Sequence, residues 1–270
     1  HVARPLEGYS PLYGPERSPR TLRTRMNAKL VSDNSPDGPA GADGKFSLRE
    51  MQQALLGNRS LAAELLRDEL AAACREKPAA ELDGETIDLA AACDVIQGYD
   101  GHLTLDSKGA VLFREWITRY DYRQTLKADA LFAVPFDPKD PVNTPRGLAD
   151  KALARKNLAL AVQTLRKAGL ALDSALEDAQ FAYRGDEKIA IHGGGRSEGI
   201  ANVIGLHLYD SQAPQVRAGK INGSQGLTDK GYLVTYGTSF LLSLSYTDQG
   251  PKAEAFLTYG ESGDPTSPHY

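Results

Sequence analysis

Cysteine, tryptophan and methionine are scarce in these 270 residues: two Cys, one Trp and two Met. Two cysteines cannot supply the several bridges of a small disulfide-built domain. With no histidine nearby they do not fill a tetrahedral zinc shell either. A basic excess is also missing. The formal net charge is −4 and the pI about 5.8, which leaves no electrostatic case for nucleic acid or an anionic membrane surface. No apolar run approaches the roughly 20 residues that span a bilayer. The chain opens on His1 with neither an initiator methionine nor a basic-apolar leader, so a processed or trimmed end is expected. What is present is the balance of an ordinary globular chain, 41% hydrophobic and 24% charged. That length holds one large domain or two small ones.

Residues 1–30 join an extended run carrying Pro5, Pro11, Pro15 and Pro19 to an arginine-rich helix start. Such a run is expected to wrap over a larger body. Residues 32–44 are rich in Asn, Asp, Ser, Pro and Gly and read as a surface loop. Ser47-Leu48-Arg49-Glu50 is a capping box, and Leu48, Met51, Leu55 and Leu56 then mark one helical face. A second helix starts near Ser60 and carries Leu61, Leu65, Leu66 and Leu70. A third, from about Glu85, carries Leu89, Cys93 and Ile96 and stops at Gly98. These faces are read as core. Residues 110–116 and 148–170 are helical by the same spacing, Asp173 caps a shorter helix with Leu176, and residues 134–146 form a Pro-rich loop. After Gly185 alternation takes over, predicting strands at 189–192, 200–209, 232–236, 241–246 and 253–259. A helical stretch over 45–180 followed by a β-rich stretch over 185–270 is an α+β order rather than βαβ alternation.

Candidate chemistry is sparse. Cys74 and Cys93 each sit in an Ala-rich helical context on either side of a breaker, Lys77-Pro78 through Asp83-Gly84. Two helices folded back there could hold a disulfide, which implies an oxidising compartment, or two buried thiols. Gly193-Gly194-Gly195-Arg196-Ser197 lacks the spacing of a phosphate loop and reads as a turn. His1, His102, His192, His207 and His269 are scattered singly, none at i,i+4 spacing with an acid, and read as structural or exposed. Ser239 has no nucleophile-elbow context. Asp100 and Asp106 fit turns better than a catalytic carboxylate pair. Arg17, Arg20, Arg23 and Arg25 are the outstanding polar feature. A guanidinium is a rigid fork of donors suited to a carboxylate, a carbonyl or a loop backbone. The plainer reading is a solvated helix start.

A series of short segments is more specific than any one of them. The run from Pro5-Leu6-Glu7-Gly8-Tyr9 to Arg17 is followed by Leu22-Arg23-Thr24-Arg25. Then come Met51-Gln52, Cys93 ahead of Tyr99-Asp100-Gly101, Asp106-Ser107-Lys108-Gly109-Ala110, Leu112-Phe113 and His192-Gly193-Gly194. The series closes on a strand-turn-strand unit and Ser267-Pro268-His269-Tyr270. In that order they resemble the acyl-homoserine-lactone acylases, within the penicillin-acylase family of N-terminal-nucleophile hydrolases. The resemblance covers essentially the whole chain and matches the C-terminal part of the family's β-subunit, although family members run on past the His-Tyr pair.

The resemblance implies part of a four-layer αββα fold and an amide hydrolase cut from a precursor into a heterodimer. The N-terminal Ser nucleophile, the His after it and the oxyanion Asn would all lie ahead of His1. No catalytic residue is then expected within this chain, and the chain alone is expected to be inactive. A family arginine that supports the Asn and the active-site loop falls in the Arg-rich stretch, with Arg23 the first choice and Arg20 and Arg25 next. The implied substrates are N-acyl-homoserine lactones or related long-chain amides. The alternatives are a β-lactam or aculeacin-type lipopeptide acylase and, from another class, a non-catalytic binding or scaffold domain. The implied partners are the α-subunit and the N-terminal part of the β-subunit. No cofactor is expected. Some family members bind a structural Ca²⁺ through an acid near the position of Glu7, but one ligand is not a site and no metal is predicted. Family members lie outside the cytoplasm, which implies a periplasmic or secreted location and favours the Cys74–Cys93 disulfide.

Overall fold

A disulfide between Cys74 and Cys93, Cα atoms 5.5 Å apart, ties two helices at the centre of the fold. The computed structural model describes residues 8, 10–33, 35–206, 218–257, 262–264 and 266–269. Residues 1–7 and Tyr9 of the Pro-rich start therefore lie outside the described residues. The first helix, α1 (Leu22–Ser32), begins where the Thr21 hydroxyl accepts the Thr24 N–H at 3.1 Å. Leu22, Met26 and Leu30, four apart, all turn inward.

The capping box forms as expected at α2 (Leu48–Leu56), with Ser47 and Glu50 each accepting the other's N–H. Its apolar face does not enter the core. No residue of α2 is buried, and Met51 is 36% exposed. Ala54 and Leu55 pack against the edge of the core, and the face also meets the terminal hairpin across a gap lined by Leu55, Leu56, Leu241 and Phe256.

The longest core stripe belongs to α3 (Leu61–Glu76), where Leu61, Leu66 and Leu70 are buried together with Ala62, Ala63, Ala71 and Ala73. Glu64 on its outer side takes Lys29 at 2.7 Å and Arg59 at 2.8 Å, which fastens α1 to α3.

The breaker after α3 is a hairpin, β1 (Ala79–Leu82) and β2 (Glu85–Asp88), paired antiparallel. Asp83 and Gly84 both have positive φ, 51° and 85°, the geometry of a tight two-residue hairpin turn. Glu85 therefore opens a strand, and the third helix starts later, as α4 (Ala90–Gly98).

Every residue of α5 (Ala110–Ile117) is buried. It enters at Gly109, whose φ is +82° and where a Cβ would stand 3.1 Å from Val95 and 3.2 Å from Tyr99. Aromatic rings line its path. Tyr99, Phe113, Trp116 and Tyr120 follow one another with centroids 5.5, 5.3 and 5.5 Å apart. The strands β3 (Phe132–Val134) and β4 (Arg146–Leu148) pair across the loop 135–145. Then α6 (Lys151–Lys167), capped by Asp150, packs on α3 and α5 and receives the Trp116 N–H on the Ala154 carbonyl at 3.1 Å.

A single turn, α7 (Leu176–Ala179), has Ala175 at its N-cap and no side-chain cap. Asp173 is not used, because the Leu176 and Glu177 N–H groups donate instead to the carbonyls of Ser107 and Leu105. Strand structure begins at once with β5 (Gln180–Arg184), before Gly185. With β6 (Glu187–Ala190), β7 (Leu227–Thr228) and β8 (Gly231–Leu233) it makes a sheet of order β6-β5-β8-β7. The β5–β8 pair is parallel and the others antiparallel. Residues 200–206 were expected to be strand. They make isolated bridges instead, Gly194 with Val203 and Gly205 with Tyr236, and 207–209 lie outside the described residues.

The chain then forms a long hairpin, β9 (Phe240–Thr247) with β10 (Gly250–Leu257), in the register Phe240 opposite Leu257 through Thr247 opposite Gly250. Alternation puts Phe240, Leu242, Leu244, Tyr246 and Leu257 on one face. They are 53, 53, 37, 81 and 45% exposed. An isolated hairpin is marginal in water, and among the described residues this one has an uncovered apolar face and two unpaired edges.

Candidate functional site

The arginines in and ahead of the first helix end up in different surroundings. Arg17 and Arg23 are exposed and Arg20 is half-buried. Arg23 Nε donates to the Ala201 carbonyl at 3.3 Å. Arg25 alone is wholly buried. Its Nε donates to the Val142 carbonyl at 2.7 Å, while Nη1 and Nη2 have no partner among the described residues. Burial lowers its pKa to about 10, and Asp140 pulls it the other way. Two orphan donors on a buried cation are a defect that an acceptor from outside the described residues would repair.

A second polar centre lies under α5, where the charges of Arg114 and Glu115 sit in an otherwise apolar helix. Arg114 Nε donates to Glu198 Oε1 at 2.9 Å, and both side chains are 2% exposed. Its Nη1 reaches Gln180 Oε1 at 2.6 Å and its Nη2 the Gly193 carbonyl at 3.3 Å. The guanidinium also stands over the Tyr232 ring, 4.9 Å from its centroid. Burial is the largest influence and would lower the Arg114 pKa, but Glu198 together with Tyr232 and Tyr99 outweighs it and holds the value above the ordinary one. Glu115 Oε1 accepts from Ser224 Oγ at 2.7 Å and from the Tyr232 hydroxyl. Burial, and then Glu115, push Tyr232 well above its usual range, so it stays a donor. This knot joins α5, β5, β8 and the glycine loop beside a cleft of about 490 Å³. Gly199 makes the assembly possible: its φ is +69°, and a Cβ there would stand 2.5 Å from the Leu22 Cβ.

The glycine run is spent internally. Gly193 N–H donates to Leu103, Gly194 N–H to Asn202 and Gly195 N–H to Glu198 Oε2, which leaves no nest of free amides for an anion. Asp100 accepts from the His102 N–H and from Ser107 Oγ, and Asp106 from Thr104 Oγ1. Both are turn residues. His102 Nδ1 lies 2.6 Å from the Gly57 carbonyl, which makes it a donor there. His192 Nδ1 instead meets the side-chain amides of Asn58 and Asn202, at 2.9 and 3.1 Å. Ser239 is exposed. The Ser224 hydroxyl, besides its bond to Glu115, accepts the N–H groups of Gly226 and Leu227. No group of three His, Cys, Asp or Glu that could hold a metal occurs among the described residues. Glu7, His1 and His207 lie outside them.

Among the described residues this arrangement can brace a neighbouring structure but contains no nucleophile paired with a base for attack. Comparison with known proteins gives the family. The family model described as penicillin amidase matches residues 3–270. The chain belongs to the penicillin amidase family. Aculeacin-A acylase of Actinoplanes utahensis is 35% identical over 99% of this chain. The acyl-homoserine lactone acylase PvdQ of Pseudomonas syringae pv. syringae is 31% identical over 99% of it, and that of Pseudomonas putida 29% over 99%. The chain spans about a third of these relatives, 31, 31 and 30% of their lengths.

Sequence reasoning singled out the arginine stretch but missed the Arg114–Glu198 knot and the Asn58–His192–Asn202 cluster. The first had a signal, an Arg-Glu pair inside an apolar helix. The second had none, since Asn58 and Asn202 are 144 residues apart.

Proposed function

We propose that this chain is part of an amide hydrolase that deacylates long-chain acyl amides, with its nucleophile on polypeptide outside these 270 residues. The observation that supports this best is the colinear match to an aculeacin-A acylase and to PvdQ acylases over 99% of the chain. The uncovered apolar face of β9 and β10 agrees with it, because a larger α+β body of the αββα kind would cover that face.

In the proposed reaction an N-terminal Ser attacks the amide carbonyl with its own α-amine as base. An oxyanion hole holds the developing charge. The amine leaves, and water releases the acyl group from the enzyme. This chain's part is positioning. Arg25 suits the role of supporting arginine better than Arg23 or Arg20, since only its fork is buried with donors to spare. N-acyl-homoserine lactones are the first substrate class. The higher identity to aculeacin-A acylase, 35 against 31%, favours a lipopeptide as the second. An extracytoplasmic setting and assembly with the rest of an acylase heterodimer complete the reading, and the buried disulfide fits an oxidising compartment.

The test is hydrolysis by the complete, processed protein of acyl-homoserine lactones with short to long chains and of an acylated lipopeptide. Release of the long acyl chain from either supports the reading. No release from any of them leaves the non-catalytic scaffold reading standing.

A further inference from the structure

A cleft of about 690 Å³ opens between the four-stranded sheet and the terminal hairpin, walled by Ile189, Ile191, Ile204, Val234, Leu241 and Phe256. His192 interrupts this apolar wall. Four hydrogen bonds fix its tautomer. The Leu56 carbonyl lies 2.8 Å from the Asn58 side-chain amide nitrogen, so that group must donate. Asn58 Oδ1 is then left to accept from Asn202 Nδ2 at 3.1 Å. Both amide nitrogens consequently face His192 Nδ1, and Nδ1 must accept. The ring proton sits on Nε2. A second proton, on Nδ1, would meet two N–H groups head on. Burial acts in the same direction and holds His192 below its ordinary pKa. His192 is thus a neutral Nε2–H donor at the cleft wall, with no acceptor for it among the described residues. The other charged or titratable groups on the wall are Arg184, Tyr183 and Tyr236. Glu254 lies on the α2 side of the hairpin.

We infer that this cleft is an internal docking surface for the polypeptide that the relatives carry beyond the matched third. His192 would anchor it by donating Nε2–H to an uncharged acceptor, a backbone or side-chain amide carbonyl. The inference rests on the acylase reading and adds where, and by what chemistry, the remainder is held. Three observations select this occupant. Most of each relative's length lies outside the matched part. The cleft borders a hairpin whose other face is also apolar and uncovered. A donor locked in its neutral form prefers a carbonyl to a carboxylate, because an anion at Nε2 would draw the ring toward the imidazolium that the two asparagines oppose.

The test uses the complete protein. Hydroxyl-radical footprinting reads the solvent access of Tyr183, Tyr236 and Phe256, and unfolding is followed from pH 8 to pH 5 (set by experiment, around the ~6.5 of an unperturbed histidine). All three side chains are expected to be protected without any added ligand. The unfolded chain takes up the His192 proton before the folded one does. Stability is therefore full above about pH 6.5 and falls below it, the unfolding constant rising up to about tenfold per pH unit. His192→Phe, which cannot titrate, should lose that limb. Labelling at solvent rates in a protein that still deacylates its substrate overturns this inference and leaves the acylase reading intact. So does protection that needs an added acyl compound, which would make the cleft a small-molecule site. A pH limb unchanged by His192→Phe removes the anchor. A protected cleft in a protein without deacylase activity sinks the acylase reading alone.

Discussion

Arg25 gives the sharpest handle, because the account predicts opposite signs for one substitution in two settings. Within the described residues the guanidinium is fully buried, bonded through Nε only, and lowered to about 10. At about 1.4 kcal/mol per pH unit, that drop from its ordinary value corresponds to about 3 kcal/mol of uncompensated burial. Arg25→Met keeps most of the volume and removes the charge. In the 270-residue chain by itself, urea unfolding should show stability unchanged or raised, by up to about 3 kcal/mol. In the complete protein, where an acceptor would engage Nη1 and Nη2, the same change should cost about 2–3 kcal/mol and lower activity. Arg25→Lys keeps the charge but not the fork, and should recover little of that loss. Equal destabilisation of both forms by Arg25→Met would refute the reasoning, since the fork would then be satisfied inside this chain.

The polar knot under α5 should behave as a coupled pair. Arg114→Met is expected to cost about 3–5 kcal/mol by leaving Glu198 buried and alone, and adding Glu198→Gln should recover part of it, giving a clear coupling energy in a double-mutant cycle. Replacing Cys74 and Cys93 by Ser opens a loop with a sequence separation of 19 and should lower stability by about 3 kcal/mol in thermal or urea unfolding. Trimming the exposed apolar face with Leu242→Thr and Leu257→Thr should reduce self-association of the isolated chain in sedimentation, and it should destabilise the complete protein, where the proposed remainder of the acylase would cover that face.

Much of the fold could be read from the sequence where a local pattern is long enough to identify itself. The helices α3, α5 and α6 carry apolar spacing over two turns or more, α2 is announced by its capping box, and the β9–β10 hairpin by strict alternation. The misreadings are short or depend on distant partners. The β1–β2 hairpin is four residues a side, and only the conformation of Asp83 and Gly84 separates it from a helix start. Strand β5 precedes Gly185, after which alternation becomes visible in the sequence, because its pairing with β8 spans some fifty residues. The α2 face has the spacing of a core stripe, yet it packs only against the edge of the core and shares its other contacts with a hairpin that is itself half uncovered. The candidate site follows the same division. An arginine cluster is visible as composition, but which member is buried depends on the loop 135–145, whose Val142 carbonyl lies 117 residues away. The tautomer of His192 requires three segments at once.

The most direct measurement locates the acyl group. The complete protein is quenched during turnover of a long-chain acyl amide, digested, and the acylated peptide identified by mass spectrometry. The account predicts an ester on an N-terminal serine outside residues 1–270, with none of this chain's peptides modified. An acyl group on any residue of this chain, or turnover by the 270 residues alone, would contradict it.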